Sequence, residues 1–142
     1  NGKTTTKEIV KNLCCFIDPL TSYTHGNFNN DIGVPITLLN SKLESKWWII
    51  EIGTNNFGEI PYLSSIVQPT AGIITSIGES HLEFLENTEG VAQEKSGLFV
   101  GIEPGRNIVI PDSIMHKEVL ENQARNYGLK ITKTNHISGE LL

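Results

Sequence analysis

The sequence is poor in sulfur, with 2 cysteines and 1 methionine among 142 residues. Cys14 and Cys15 are adjacent and lie in a helical pattern. They exclude a disulfide framework and read as reduced, packed thiols of a cytosolic protein. Positive charge is scarce too. Lys and Arg number 11 against 16 Asp and Glu, a net charge of -5, so no basic excess exists to neutralise a nucleic-acid backbone. Nucleotide binding is untouched by that exclusion, since a few local amides, one lysine and a metal ion suffice. Long apolar runs are missing: Leu13 to Ile17 is the longest and Trp47 to Ile50 is strand-sized, both far short of the ~20 residues that span a bilayer. Membrane insertion is therefore not expected. Nor is there an internal repeat, a low-complexity tract or an inter-domain linker.

What is present suits one domain with a single core, 38% apolar and 19% charged. Ile9, Leu13, Phe16 and Ile17 share one face of a helix expected over 3–17, ended by Asp18-Pro19. An extended stretch at 22–24 leads into the polar loop Gly26-Asn27-Phe28-Asn29-Asn30-Asp31, and a short helix follows over 32–39. Trp47-Trp48-Ile49-Ile50-Glu51-Ile52 and Gly72-Ile73-Ile74-Thr75-Ser76-Ile77 read as strands apolar on both faces. Helices are expected over 58–67, 88–100 and 114–127, and further strands over 107–110 and 129–134. Strands alternating with helices define an α/β class with a mostly parallel sheet covered by helices.

Four segments bear chemistry. Gly2-Lys3-Thr4 directly precedes a helix and matches the end of the phosphate loop G-x-x-x-x-G-K-[ST]. There, backbone N–H groups face phosphates, Lys3 neutralises charge and the Thr4 hydroxyl joins a Mg²⁺ shell. The first glycine of that pattern falls ahead of Asn1. On the triplet alone the solvated helix start is the favoured reading. Glu51, before Gly53-Thr54-Asn55-Asn56, ends a strand where ligands of open α/β sheets sit, and it can offer an oxygen to Mg²⁺. The bland alternative, a Glu paired with a Lys at the sheet edge, is weakened by the apolar run before it. Ser76-Ile77-Gly78-Glu79-Ser80-His81 places His81 on the same edge as Thr4 and Glu51. In Glu89-Gly90-Val91-Ala92-Gln93-Glu94-Lys95, Lys95 lies on the helix after the His81 loop; spacing alone leaves it a solvated charge.

Together these segments resemble the central domain of the Mur ligases. The residues are Asn1 to Glu8, Gly26 to Pro35, Glu51 to Asn55 with Gly58-Glu59-Ile60, and Ser80 to Glu83 with Glu89 to Ala92. The Asn-rich loop running into Ile32-Gly33-Val34-Pro35 is similar to the branch that adds D-alanyl-D-alanine. The resemblance implies a phosphate-loop-type three-layer domain working in the bacterial cytoplasm. Its cofactors would be ATP and Mg²⁺, and its substrates UDP-N-acetylmuramoyl-tripeptide and D-alanyl-D-alanine. It implies ATP contacts from Asn1, Gly2, Lys3, Thr4, Thr5, Asn27 and Asn30, with Asn29 nearby. Metal binding would fall to Thr4, Glu51, His81 and Lys95, the last as a carbamate, and catalysis to Lys3, His81 and Lys95. Where the family continues Gly-Glu after its lysine, Ser96-Gly97 follow here. The chain opens inside a motif, so it is expected to be a piece of a longer protein. The upstream loop half, a UDP-binding N-terminal domain and a C-terminal domain would lie outside it. The alternatives are a sibling or folylpolyglutamate-type ligase that adds a single amino acid, and a nucleotide-binding module without catalysis.

Overall fold

A computed structural model describes residues 1–78 and 87–134. The elements run α1 (Lys3–Ile17), β1 (Ser22–Tyr23), α2 (Gly33–Asn40), β2 (Trp48–Ile49), α3 (Glu59–Val67) and β3 (Ala71–Ile73). Then come α4 (Thr88–Ser96), a 3-10 turn (Gly97–Gly101), β4 (Asn107–Pro111), α5 (Lys117–Asn126) and β5 (Lys130–Thr134). All strand pairs are parallel, β1 with β2 and, separately, β3–β4–β5 in that order. Parallel strands joined by helices give the α/β class that alternation implied.

Local chemistry sets the boundaries. Gly2 enters α1 at φ 78, in the left-handed region that glycine tolerates. Asp18 leaves it extended because Pro19 follows. Asn87 caps α4 by accepting the Gly90 N–H at 2.9 Å. The helix expected from Ile114 begins only at Lys117: His116 sits at φ 53 and breaks the register. Gly97 ends α4 and Gly101 ends the 3-10 turn; a Cβ would strike Pro61 at 2.5 Å at the first and the Ser64 carbonyl oxygen at 2.0 Å at the second, so α3 packs closely against that turn.

The core lies on one side of the molecule. Ile74, Phe99, Ile108, Ile110, Leu120 and Ala124 form a buried cluster around β3, β4 and β5. Two expectations need correction. The strands at 47–52 and 72–77 are short, and their apolar residues are not all buried: Trp47, Trp48 and Ile73 are exposed. The apolar stripe of α1 is likewise exposed at Ile9, Leu13, Phe16 and Ile17, and Lys7 is its one buried residue. The reason is topological. β2 and β3 have a hydrogen-bonded neighbour on one side only, and a slot of about 610 Å³ lies between them.

Candidate functional site

The site gathers where α1 starts, above the mouth of this slot. The Asn1 carbonyl accepts the hydroxyls of Thr75 at 2.8 Å and Ser76 at 3.0 Å, which pins the chain start to the segment leaving β3. Helix geometry leaves the first backbone N–H groups of α1 without intrahelical acceptors, and no side chain caps them, the setting that attracts anions. Lys3 and Thr4 belong to this first turn. Thr5 is exposed beside them.

Glu51 is the pivot. It is 5% exposed, and its backbone N–H donates to the hydroxyl of fully buried Thr24 at 3.0 Å. Its Oε1 accepts the Asn29 amide at 2.8 Å and the Thr4 hydroxyl at 3.2 Å, whereas Oε2 is buried with no partner. Leaving a buried charged oxygen unpaired costs about 1–3 kcal/mol or more. A divalent cation answers that deficit, since Mg²⁺ takes one or two protein oxygens and fills its octahedron with water and phosphate. No group of three or more His, Cys, Asp or Glu side chains gathers among the described residues. A sparse Glu51 and Thr4 set therefore fits a metal shared with a phosphate ligand better than an all-protein cage. His81 lies outside the described residues.

Asn29 owes its place to Gly53. The Gly53 N–H donates to the Asn29 carbonyl at 2.7 Å, and a Cβ at Gly53 would sit 3.0 Å from the Asn29 side chain. Of the neighbouring asparagines, Asn30 is occupied in capping α2, its Oδ1 accepting the Gly33 N–H at 2.8 Å. Asn27 is exposed.

Lys95, in the last turn of α4, reaches the site from the side of the β3–β4–β5 sheet. Its ammonium donates to the Ser76 carbonyl at 2.5 Å. No carboxylate pairs with it among the described residues. Burial, and then the charge of Lys3, push its pKa down to about 8. Lys3 and Lys95 both line the slot, as does Glu51. Thr4, Asn29 and Glu51 thus touch directly, and Lys3 and Lys95 stand as mutually repelling cations at the same mouth. Thr24, Thr54 and Glu94 are polar groups of this region that motif reasoning passed over. Glu94 carried no local sequence signal: its burial, shared with Val91, Ala92 and Ser96, comes from the packing of α4.

This constellation, a phosphate-loop-like helix start beside a metal-competent carboxylate at parallel strand ends, has the form of a nucleotide-binding site. The model of the Mur ligase middle domain matches residues 1–140, and the chain belongs to that family. Among curated relatives, the UDP-N-acetylmuramoyl-tripeptide–D-alanyl-D-alanine ligase of Haemophilus influenzae is 33% identical over 133 residues. The match covers 92% of this chain and 29% of that protein. The enzyme of the same name from Bacillus subtilis is 38% identical over 133 residues, covering 90% of the chain and 28% of the relative. A crystal structure of MurF from Acinetobacter baumannii superposes with a TM-score of 0.86 at 34% identity, over 94% of this chain and 29% of that one. MurF ligase from Thermotoga maritima in complex with ADP gives 0.82 at 25% identity, over 99% and 32%. The chain thus spans under a third of the length of these relatives.

Proposed function

We propose that this chain is the ATP-binding central unit of a bacterial cytoplasmic ligase that joins D-alanyl-D-alanine to UDP-N-acetylmuramoyl-tripeptide. The observation that bears most weight is the orphaned Oε2 of buried Glu51, held beside the Thr4 hydroxyl at the start of α1. The names of the relatives supply the substrates. In the reaction, a carboxylate oxygen of the tripeptide attacks the γ-phosphorus of ATP. The bond to ADP breaks and an acyl phosphate forms. The dipeptide amine then attacks the acyl carbon, loses a proton, and expels phosphate. Both steps gather negative charge on phosphoryl oxygens, so positioned cations lower the barrier.

Lys3 and the open N–H groups of α1 would take the phosphates, with Asn1, Gly2 and Thr5 beside them. Thr4, Glu51 and His81 would hold Mg²⁺, and Asn29 would fix the Glu51 carboxylate. Bound magnesium polarises phosphoryl oxygens. Asn27 and Asn30 would border the nucleotide through the loop they share. Lys95 would act as a carbamate: an amine with pKa near 8 has a substantial neutral fraction able to add CO₂, and the resulting anion would suit a metal-bearing site. The slot between β2 and β3 supports a further reading. A parallel strand leading into Asn1 from the longer protein would fill it and complete the phosphate loop, with the UDP-binding and C-terminal domains beyond.

The test is phosphate release from ATP by the full-length protein. Release with the UDP-linked tripeptide should require D-alanyl-D-alanine, and Lys95→Ala should abolish it while the circular dichroism spectrum is kept. If L-Ala or D-Glu served equally as nucleophile, the branch would be wrong. An active Lys95→Ala would remove the carbamate role.

A further inference from the structure

Glu94 is 4% exposed, yet no cation pairs with it among the described residues. Its Oε2 accepts the Gly58 N–H at 2.8 Å. Its Oε1 accepts the Ile60 N–H at 2.8 Å and the Thr54 hydroxyl at 3.4 Å. Every partner is a donor, the surroundings of a carboxylate. The two N–H groups open α3, where helix geometry leaves donors without intrahelical acceptors. α3 has no side-chain cap from its own N-cap residue; a residue of α4 provides it instead.

Such a cap could serve stability alone, but its location gives it another consequence. Glu94 is the chain neighbour of Lys95, and Thr54 lies in the turn that leaves Glu51. β2, which leads to Glu51, and β3, whose continuation Lys95 contacts, share no ladder. A direct tie between the segments bearing the two groups therefore has to come from side chains. We propose that Glu94 is a positioning residue, clamping the 54–60 segment onto α4 and so setting the spacing of Glu51 and Lys95 across the slot. This rests on the ligase reading of those two residues. Glu59 stiffens the same turn from within, accepting the Asn55 N–H at 2.7 Å and the Asn56 amide at 2.9 Å. The clamp thus grips a formed loop.

Glu94→Gln keeps the shape but turns one acceptor into a donor facing donors. In the full-length protein, kcat for ATP-dependent phosphate release should fall about tenfold, the scale seen when a group orienting a metal ligand is lost. The KM for ATP should stay within about twofold. Ser64→Ala is the control. It removes the Ser64 hydroxyl bond to the Leu98 carbonyl (2.6 Å) farther along α3 and should lower Tm with little change in kcat. A second readout needs no turnover. Hydrogen exchange at the Gly58 and Ile60 amides, followed by mass spectrometry, should quicken in Glu94→Gln as they lose their acceptor. If Glu94→Gln does not fold, Glu94→Asp decides: its shorter carboxylate loses reach to the Gly58 and Ile60 amides, and a smaller fall in kcat is expected. An unchanged kcat and amide exchange, or an equal loss of kcat in Ser64→Ala, overturns the positioning role. A wild type that shows no D-alanyl-D-alanine-dependent release, with faster exchange at the Gly58 and Ile60 amides in Glu94→Gln, overturns the ligase reading and leaves the clamp standing.

Discussion

Around β3, β4 and β5, Phe99, Ile108 and Leu120 are fully shielded, whereas around β1 and β2 the molecule leaves Phe16, Leu39 and Leu43 at 92%, 86% and 86% exposure. The candidate site straddles this divide. Thr4, Asn29 and Glu51 come from the open side, and Lys95 from the closed one. The closed side holds its parts by burial of apolar area, about 25 cal/mol for each Å² removed from water. The open side holds its parts by directed polar contacts: the Lys7 ammonium on the Thr24 carbonyl at 3.1 Å, the Glu51 N–H on Thr24, and Asn29 on Glu51. Precision at the metal-competent carboxylate therefore depends on a few hydrogen bonds, and precision at Lys95 on a packed core.

Truncations on the two sides should differ most. Phe99→Ala removes a fully buried ring and should cost about 3–5 kcal/mol, while Phe16→Ala should stay within about 0.5 kcal/mol. Urea unfolding followed by circular dichroism measures both, and equal losses would erase the contrast. A smaller effect is expected from the polar side. In the full-length protein Glu51→Ala should lower turnover by more than about tenfold, with part of the loss recovered at higher Mg²⁺. Turnover near wild type would make Glu51 a structural carboxylate.

A third effect concerns Lys95 and pH. Its pKa is about 8 in the fold against an ordinary 10.5. Between those values the unfolded chain holds more protons, so this lysine makes stability rise as pH climbs through the window. Thermal melts of wild type minus Lys95→Met across that range should show the positive slope. A flat difference would mean that the ammonium is better solvated than its half-buried position implies.

Much of this was legible in residue order. Asp18-Pro19, Pro35 in the first turn of α2 and the Gly101 stop each have a local physical cause, and the helices they bound fall where expected. The Glu51 and Thr4 convergence was readable because ligands of parallel sheets gather at strand ends. Burial of Trp47, Trp48 and the α1 stripe was not, because apolar character reports a tendency to be covered and not the presence of a cover. The Ile114 helix start failed on one backbone angle at His116, which no side-chain periodicity encodes. Asn29 and Asn30 look alike in sequence, yet one bonds Glu51 and the other caps α2. Glu94 was silent because a cap supplied from another helix leaves no local pattern.

The slot has a consequence for handling the molecule in solution. Its two walls are strand edges, β2 and β3, each with a row of backbone donors and acceptors unpaired on the slot side among the described residues. Proteins usually guard such rims with charge, proline or a covering helix. Here the neighbours along the walls are Trp47, Trp48, Ile49 and Ile73, a lining that invites any extended apolar segment to add as a strand. Concentrated stocks of this chain alone are thus prone to strand exchange and assembly, and a short β-forming peptide is the natural additive to keep them dispersed.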